Sequence, residues 1–259
     1  MSQMSITTLE TTLADGILTV RMNRPAKKNA LTGEMYEAFT AALTQADADP
    51  AVRCVVICGV PGAFSAGNDL ESFLANADPG APRPAHGLIK ALAAVTVPLV
   101  AAVDGVAVGI GTTMLFHCDF VYATPAAKFS LPFINLGLCP EAGSSLLLPR
   151  LAGYHYAARL LMLGEAFGTD EASRLGLVHE ICTSEDVEAR AQATAAKLAA
   201  KPRQALRATK ALMKRAEEPV ATRIEVEIER FSALLTTPAA REIMGAFLEK
   251  RTPDRNLFD

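Results

Sequence analysis

The chain lacks the pairings that would give its cysteines a structural task. Cys54, Cys58, Cys118, Cys139 and Cys182 are odd in number and form no C-x-x-C, so neither a disulfide framework nor a zinc site is expected. Of these, Cys139 stands out because it adjoins Pro140-Glu141. Histidine is sparse, with four scattered residues in 259. Positive charge is not in excess: the net charge is −3, which argues against a broad face for nucleic acid. The local clusters Lys27-Lys28 and residues 210–215 can still meet a phosphorylated small molecule. No uncharged apolar run approaches the ~18 residues of a membrane span; the longest, over residues 95–103, is interrupted by Pro98 and ended by Asp104. The first residues show no basic stretch followed by an apolar one, and the last show no peroxisomal or lipidation signal. A cytoplasmic location, with no membrane and no nucleic-acid partner, is the resulting expectation.

What is present is a large hydrophobic fraction, half of the residues. That suffices for one large domain, or for one domain with an appendage. Residues 6–11 and 17–22 alternate in character across Ala14-Asp15-Gly16, which predicts an antiparallel hairpin. Thr32 reads as the N-cap of a helix with Met35, Phe39 and Leu43 on one stripe. Residues 53–58, 99–103 and 120–123 read as strands, 88–95 and 110–117 as helices, and 78–84 as a Pro/Gly-rich loop. Strands alternating with short helices point to repeated strand–strand–helix turns. From Ala142 onward the pattern is nearly all helix, with Pro202 and Pro219 at helix starts and Ile224, Ile228, Phe231 and Leu235 on one charged helix. A helical tail after a mixed core favours an oligomer.

Three segments carry chemistry. Phe64-Ser65-Ala66-Gly67-Asn68-Asp69-Leu70 and Gly105-Val106-Ala107-Val108-Gly109-Ile110-Gly111 are glycine-marked turns that let a backbone approach a ligand. N–H groups at such turns can hold a developing oxyanion. The second turn is not a dinucleotide fingerprint, since no third glycine follows Gly111, and no Walker lysine is present. The third segment is Leu138-Cys139-Pro140-Glu141-Ala142-Gly143-Ser144-Ser145. Here Glu141 is either a helix-start carboxylate that favours the dipole or a general base. An apolar wall of Phe133, Leu136, Leu138 and residues 146–148 would raise its pKa toward the working pH. Asp119 is expected to cap or pair internally, and Ser144-Ser145 to cap or pack.

At these residues the chain resembles the enoyl-CoA hydratase/isomerase (crotonase) superfamily. The likeness runs in order through Asn23-Arg24-Pro25, Asn29-Ala30-Leu31, residues 64–70, Ala101-Ala102-Val103-Asp104-Gly105, Cys118-Asp119 and Ala172 to Gly176-Leu177-Val178. It implies an α/β fold, a crotonase-like spiral of strand–strand–helix turns with a C-terminal helical region. Residues 1–200 would form the spiral with the CoA and active site, and residues 201–259 a helical region that builds trimers or dimers of trimers. Acyl-CoA thioesters would be the substrates, with coenzyme A part of the substrate and no separate cofactor or metal. The N–H groups of Ala66 and Ile110 would form the oxyanion hole. Ala66, Gly67, Asn68, Asp69 and Leu70, with Gly109 and Phe133, would line the thioester site. Lys27, Lys28, Phe247 and Lys250 would hold CoA phosphate or adenine.

Hydratases of that family use two glutamates, and the matching positions here are Thr113 and Phe133. The segment over residues 132–145 instead resembles the Δ3,Δ2-enoyl-CoA isomerases, especially the peroxisomal-type branch, in which one glutamate at the position of Glu141 is the base. A Δ3,Δ2-enoyl-CoA isomerase is therefore the leading expectation. An enoyl-CoA hydratase or another crotonase-type reaction, and a non-catalytic acyl-CoA binder, are the alternatives.

Overall fold

The computed structural model describes residues 8–75 and 83–258, the side chains of 73–75 excepted. Ile6 and residues 78–82 of the Pro/Gly-rich stretch lie outside the described residues. Strand β1 (Leu9–Ala14) pairs antiparallel with β2 (Ile17–Met22). The two residues between them, Asp15 and Gly16, both have positive φ (52° and 75°), as a tight hairpin with the native strand twist requires. Helix α1 (Gly33–Ala48) begins where the Thr32 hydroxyl accepts the Met35 N–H at 3.3 Å, and it buries Met35, Tyr36, Phe39 and Leu43.

The rest of the first two-thirds is a repeated alternation. It runs β3 (Cys54–Cys58), β4 (Ala63–Ser65), α2 (Leu70–Ala75), α3 (Pro84–Ala94), β5 (Leu99–Val103), β6 (Val106–Val108), α4 (Ile110–Thr113), β7 (Phe120–Ala123) and β8 (Lys128–Ser130). The helix expected over 110–117 keeps α-geometry for one turn and then tightens to a 3-10 turn, Met114–His117. The strands divide into two sheets, β1-β2-β3-β5-β7-β10 and β4-β6-β8-β9, where β9 (Phe167–Gly168) and β10 (Glu180–Ile181) come later in the chain. In the first sheet β2, β3, β5, β7 and β10 run parallel. β3 and β5 are buried along their whole length, which is why they read as unbroken apolar runs. Each of β3, β5 and β7 hands directly to a short strand of the second sheet, so the chain winds as a spiral of strand–strand–helix turns.

Beyond β8 come α5 (Ser144–Ala152), α6 (Tyr154–Met162), α7 (Thr169–Arg174), α8 (Val187–Ala199), α9 (Arg203–Met213), α10 (Val220–Leu235) and α11 (Pro238–Glu249). The stretch after Ala142 is nearly all helix, as expected, with β9 and β10 as short exceptions. Each is two residues long, too short to show alternation, and each is set by pairing with β8 or β7. Helix α8 lays Val187, Ala191 and Ala195 against Cys54, Val56, Val100 and Tyr122 of the large sheet. Pro202 and Pro219 do precede α9 and α10. The apolar stripe of α10 is open, with Ile224, Ile228 and Phe231 all exposed. No described helix is long and apolar enough to cross a membrane.

Helix α9 is tied down by a buried cation. Lys210 donates to Val97 O and to Asp119 Oδ2, both at 2.7 Å, and Asp119 Oδ2 also accepts the Leu99 N–H at 2.8 Å. Lys210→Met would leave the Asp119 carboxylate without its counter-charge. The expected cost is about 3 kcal/mol of unfolding free energy, seen as a lower guanidinium midpoint at unchanged m-value.

Candidate active site

The site begins with two backbones in contact. A Cβ on Gly67 would lie 2.7 Å from Val108 O, and one on Gly111 would lie 2.7 Å from Ser65 O. The turn after β4 and the turn after β6 therefore clasp each other, and only glycine permits both approaches. The fully buried Asn29 supports the first turn: its Nδ2 donates to Ala63 O (2.7 Å) and Phe64 O (3.1 Å), and its main-chain carbonyl accepts from Ser65 Oγ (2.9 Å). The second turn is held by Gly109 N–H on Ser130 O (2.9 Å) and by Thr112 Oγ1 on Ala107 O (2.6 Å).

Leu31 pairs with the first turn by donating to Gly67 O (2.7 Å) and accepting from Asp69 N–H (3.0 Å). Successive peptide groups in an extended segment face opposite ways. The Asn68 N–H accordingly points away from Leu31, and among the described residues it has no acceptor. The Ile110 N–H, at the start of α4, has none either. Two free donors thus stand on the clasped turns. The expected pairing of Ala66 with Ile110 is corrected here: the Ala66 N–H donates to Lys28 O at 2.8 Å and is spent on structure.

Asp69 is not a candidate acid. The Ser72 N–H (3.0 Å) and then Arg24 Nη1 (2.6 Å) hold its carboxyl below the usual range. Leu70, expected to line the site, is half exposed at the start of α2. Tyr36 is buried, and its hydroxyl donates to Asn68 Oδ1. A cleft lined by Leu31, Tyr36, Asn68, Asp69, Ser72 and Arg83 opens beside this contact.

Glu141 comes before α5, not in its first turn. Ala142 and Gly143 both adopt left-handed φ (52° and 69°), and the helix starts at Ser144. Ser144 donates from N–H (3.0 Å) and Oγ (2.7 Å) to the Glu141 carbonyl, so it caps the loop and is no nucleophile. Thr113 Oγ1 donates to Glu141 Oε1 at 2.5 Å, and His117 Nε2 meets Ala142 O at 2.8 Å. Burial raises the Glu141 pKa, and the Thr113 hydrogen bond offsets part of that rise.

The apolar residues expected around Glu141 divide by exposure. Leu136, Leu138 and Leu146 are 52%, 42% and 54% exposed, whereas Phe133 and Leu148 are buried. Tyr36 also faces Glu141: burial first, and then the Glu141 charge, push its hydroxyl well above its ordinary pKa. It therefore stays protonated. Cys139 is exposed. Lys27 and Lys28 are exposed on the turn whose carbonyl holds Ala66. Phe247 is 82% exposed on α11, and Lys250 caps that helix in a left-handed conformation. No hydrogen bond among the described residues joins either to Glu141.

A family model described as Enoyl-CoA hydratase/isomerase matches residues 12–256. The chain belongs to the enoyl-CoA hydratase/isomerase family. A solved structure from Magnetospirillum magneticum AMB-1, described as an enoyl-CoA hydratase/carnithine racemase, superposes with a TM-score of 0.93 at 47% identity, over 98% of this chain and 99% of that one. The 1,2-epoxyphenylacetyl-CoA isomerase of Escherichia coli K12 is 34% identical over 249 residues, covering 92% of this chain and 94% of its own length. The 2,3-dehydroadipyl-CoA hydratase of the same organism is 35% identical over 244 residues, with 92% and 94% covered. These relatives carry different reaction names on one fold, so the family membership does not by itself select a reaction.

Sequence reasoning missed three participants. The register of the Leu31 pairing, which leaves Asn68 free while the Lys28 carbonyl occupies Ala66, has no signature in residue types. Tyr36 shares the α1 stripe with core residues, and His117 ends an apolar segment, so both read as packing.

The folded protein binds the Glu141 proton more tightly than the unfolded chain does. Stability from this group therefore falls as pH rises through its folded pKa. Glu141→Gln should stabilise the protein at neutral pH relative to wild type. The difference should vanish below the ordinary carboxylate range, and denaturant melts between pH 4 and pH 8 measure it.

Proposed function

We propose that this family member is a Δ3,Δ2-enoyl-CoA isomerase, which moves a double bond of an acyl-CoA thioester from C3 to C2 with Glu141 as its one proton carrier. The observation that carries this reading is the company Glu141 keeps. Thr113 and Phe133 stand where the hydratase glutamates would be, and Thr113 donates to the Glu141 carboxylate rather than acting as an acid. Asp69, the nearby buried carboxylate, is paired to Arg24 and held ionised. Support for a CoA thioester as substrate comes from the relatives named for CoA esters.

The reaction needs no water. The ionised Glu141 removes a C2 proton, the electron pair moves toward the thioester carbonyl, and the dienolate oxygen is held by the Asn68 and Ile110 N–H groups. Glu141, now protonated, returns the proton at C4 as the double bond settles between C2 and C3. Protons balance within the substrate and enzyme. Losing one oxyanion donor typically costs about 2.7–4 kcal/mol of transition-state stabilisation. The raised Glu141 pKa serves the step directly, because a base works best when its pKa lies near the operating pH.

Lys27 and Lys28 on the adjoining exposed turn, with Phe247 and Lys250 on α11, belong to this reading as contacts for CoA phosphate and adenine. The open apolar stripe of α10 and the exposed Phe247 and Leu248 support assembly as a trimer or a dimer of trimers. Light scattering on the eluting protein should return three or six protomers, and a monomer would remove that part of the reading.

Glu141→Ala should lower turnover of trans-3-hexenoyl-CoA by about 10²–10⁴-fold. Unchanged turnover would remove Glu141 as the base. Efficient hydration of crotonyl-CoA by the wild-type protein would shift the reading to a hydratase. Tight CoA-ester binding without exchange at C2 in deuterated water would shift it to a binder.

A further inference from the structure

We infer that His117 is a positioning residue: its Nε2–H grips the Ala142 carbonyl and thereby sets where the Glu141 carboxylate stands. The inference rests on Glu141 being the base. It starts from the backbone at Ala142, which adopts φ 52° although it carries a side chain. L-residues rarely hold that conformation, and the surroundings must impose it. Most contacts at this corner come from within the loop itself, through Ser144 on the Glu141 carbonyl. His117 is the grip from outside. Its Nε2 lies 2.8 Å from Ala142 O. A carbonyl oxygen can only accept, so Nε2 must carry the proton.

Thr113, which holds the Glu141 carboxylate, is four residues earlier on the same continuous segment of α4 and its 3-10 turn. Both side chains reach the Glu141–Ala142 corner, at 2.5 Å and 2.8 Å. One segment thus holds the base at two points: Thr113 on the carboxylate and His117 on the backbone next to it. The segment is itself fixed, since Met114 and Leu115 are fully buried between these contacts.

The groups facing the imidazole keep it in the neutral donor form. Burial first, and the cations of Lys214, just past the end of α9, and Lys210, on α9, oppose its protonation, while the Ala142 carbonyl works in the other direction. Lys210 is itself paired with Asp119. The consequence for catalysis is geometric. One carboxylate must serve two carbons, C2 and C4, from one anchor, and a displacement on the order of 1 Å can cost about 10²-fold in rate.

The test uses the full-length protein and two substitutions. His117→Leu keeps apolar bulk and removes the donor, whereas His117→Gln keeps an N–H at similar reach. The expected result for His117→Leu is a fall in kcat of about 10-fold or more with KM changed less than about 2-fold. The acid limb of its kcat–pH profile should also move to higher pH, because Glu141 loses the Thr113 hydrogen bond that favours its ionised form. His117→Gln should restore most of kcat and return the limb.

A residue needed only for packing would lower the melting temperature in the variants and leave kcat per folded enzyme and the limb unmoved. That result overturns the inference. A crystal structure of His117→Leu decides independently of activity: a retained left-handed Ala142 with the Glu141–Thr113 contact intact overturns it. If Glu141→Gln keeps full turnover, the single-base reading fails alone, and the crystal structure still judges the grip. Should His117→Leu not fold, ¹⁵N spectra of the wild-type imidazole decide. The Nε2–H tautomer is expected, and the Nδ1–H tautomer would overturn the inference.

Discussion

The structure depends on backbone meeting backbone with no side chain between. Gly67 rests on Val108, Gly111 on Ser65, and a Cβ at Gly105 would fall 1.9 Å from Gly62 O. The Gly105 contact joins consecutive turns of the spiral where a long strand hands to a short one, and the Gly67 and Gly111 contacts join them beyond the short strands, where β4 and β6 end. The Gly67 and Gly111 contacts place the two segments that carry Asn68 and Ile110 side by side. Apolar packing around Phe39, Phe64 and Phe129 then supplies the bulk of cohesion through buried area, but it does not set this geometry.

A second constraint is opposite in kind. Glu141 is a carboxylate in a place that disfavours its charge, and its loop passes through a conformation that disfavours its own residue type. Both penalties are met by one short helical segment. Thr113 moderates the first through a hydrogen bond to the ionised form, and His117 faces the second. Glu141 is therefore neither freely solvated nor locked in an ion pair like that of Asp69 with Arg24. A carboxylate in that intermediate condition can both take and give up a proton.

Much of the architecture was legible because burial leaves periodic marks. The Thr32 cap, the α1 stripe, the unbroken runs of β3 and β5 and the proline-led starts of α9 and α10 follow from local chemistry. The same kind of reading failed for β9 and β10, which owe their conformation to partners distant in the chain. At the site, Glu141 and both glycine turns could be named from residue types and from likeness to the family. The choice between Ala66 and Asn68 could not. It turns on which way a peptide plane faces, and that is decided by Leu31 across a register no local pattern encodes. Exposure was hidden for a related reason: Leu136, Leu138 and Leu146 are as apolar as any core residue, yet all three are exposed.

The two free donors belong to the main chain, and this gives the frame an unusual robustness to mutation. A point substitution at position 68 or 110 changes a side chain but leaves the N–H in place, provided the glycines beside it survive. The groups on which the proposed proton transfer depends, at positions 113, 133 and 141, are by contrast side chains, open to replacement one at a time. Evolution can therefore exchange side-chain chemistry while the frame with its two free N–H groups is inherited intact. Relatives of near-equal similarity that bear the names of an isomerase and a hydratase are what such a division of labour would produce.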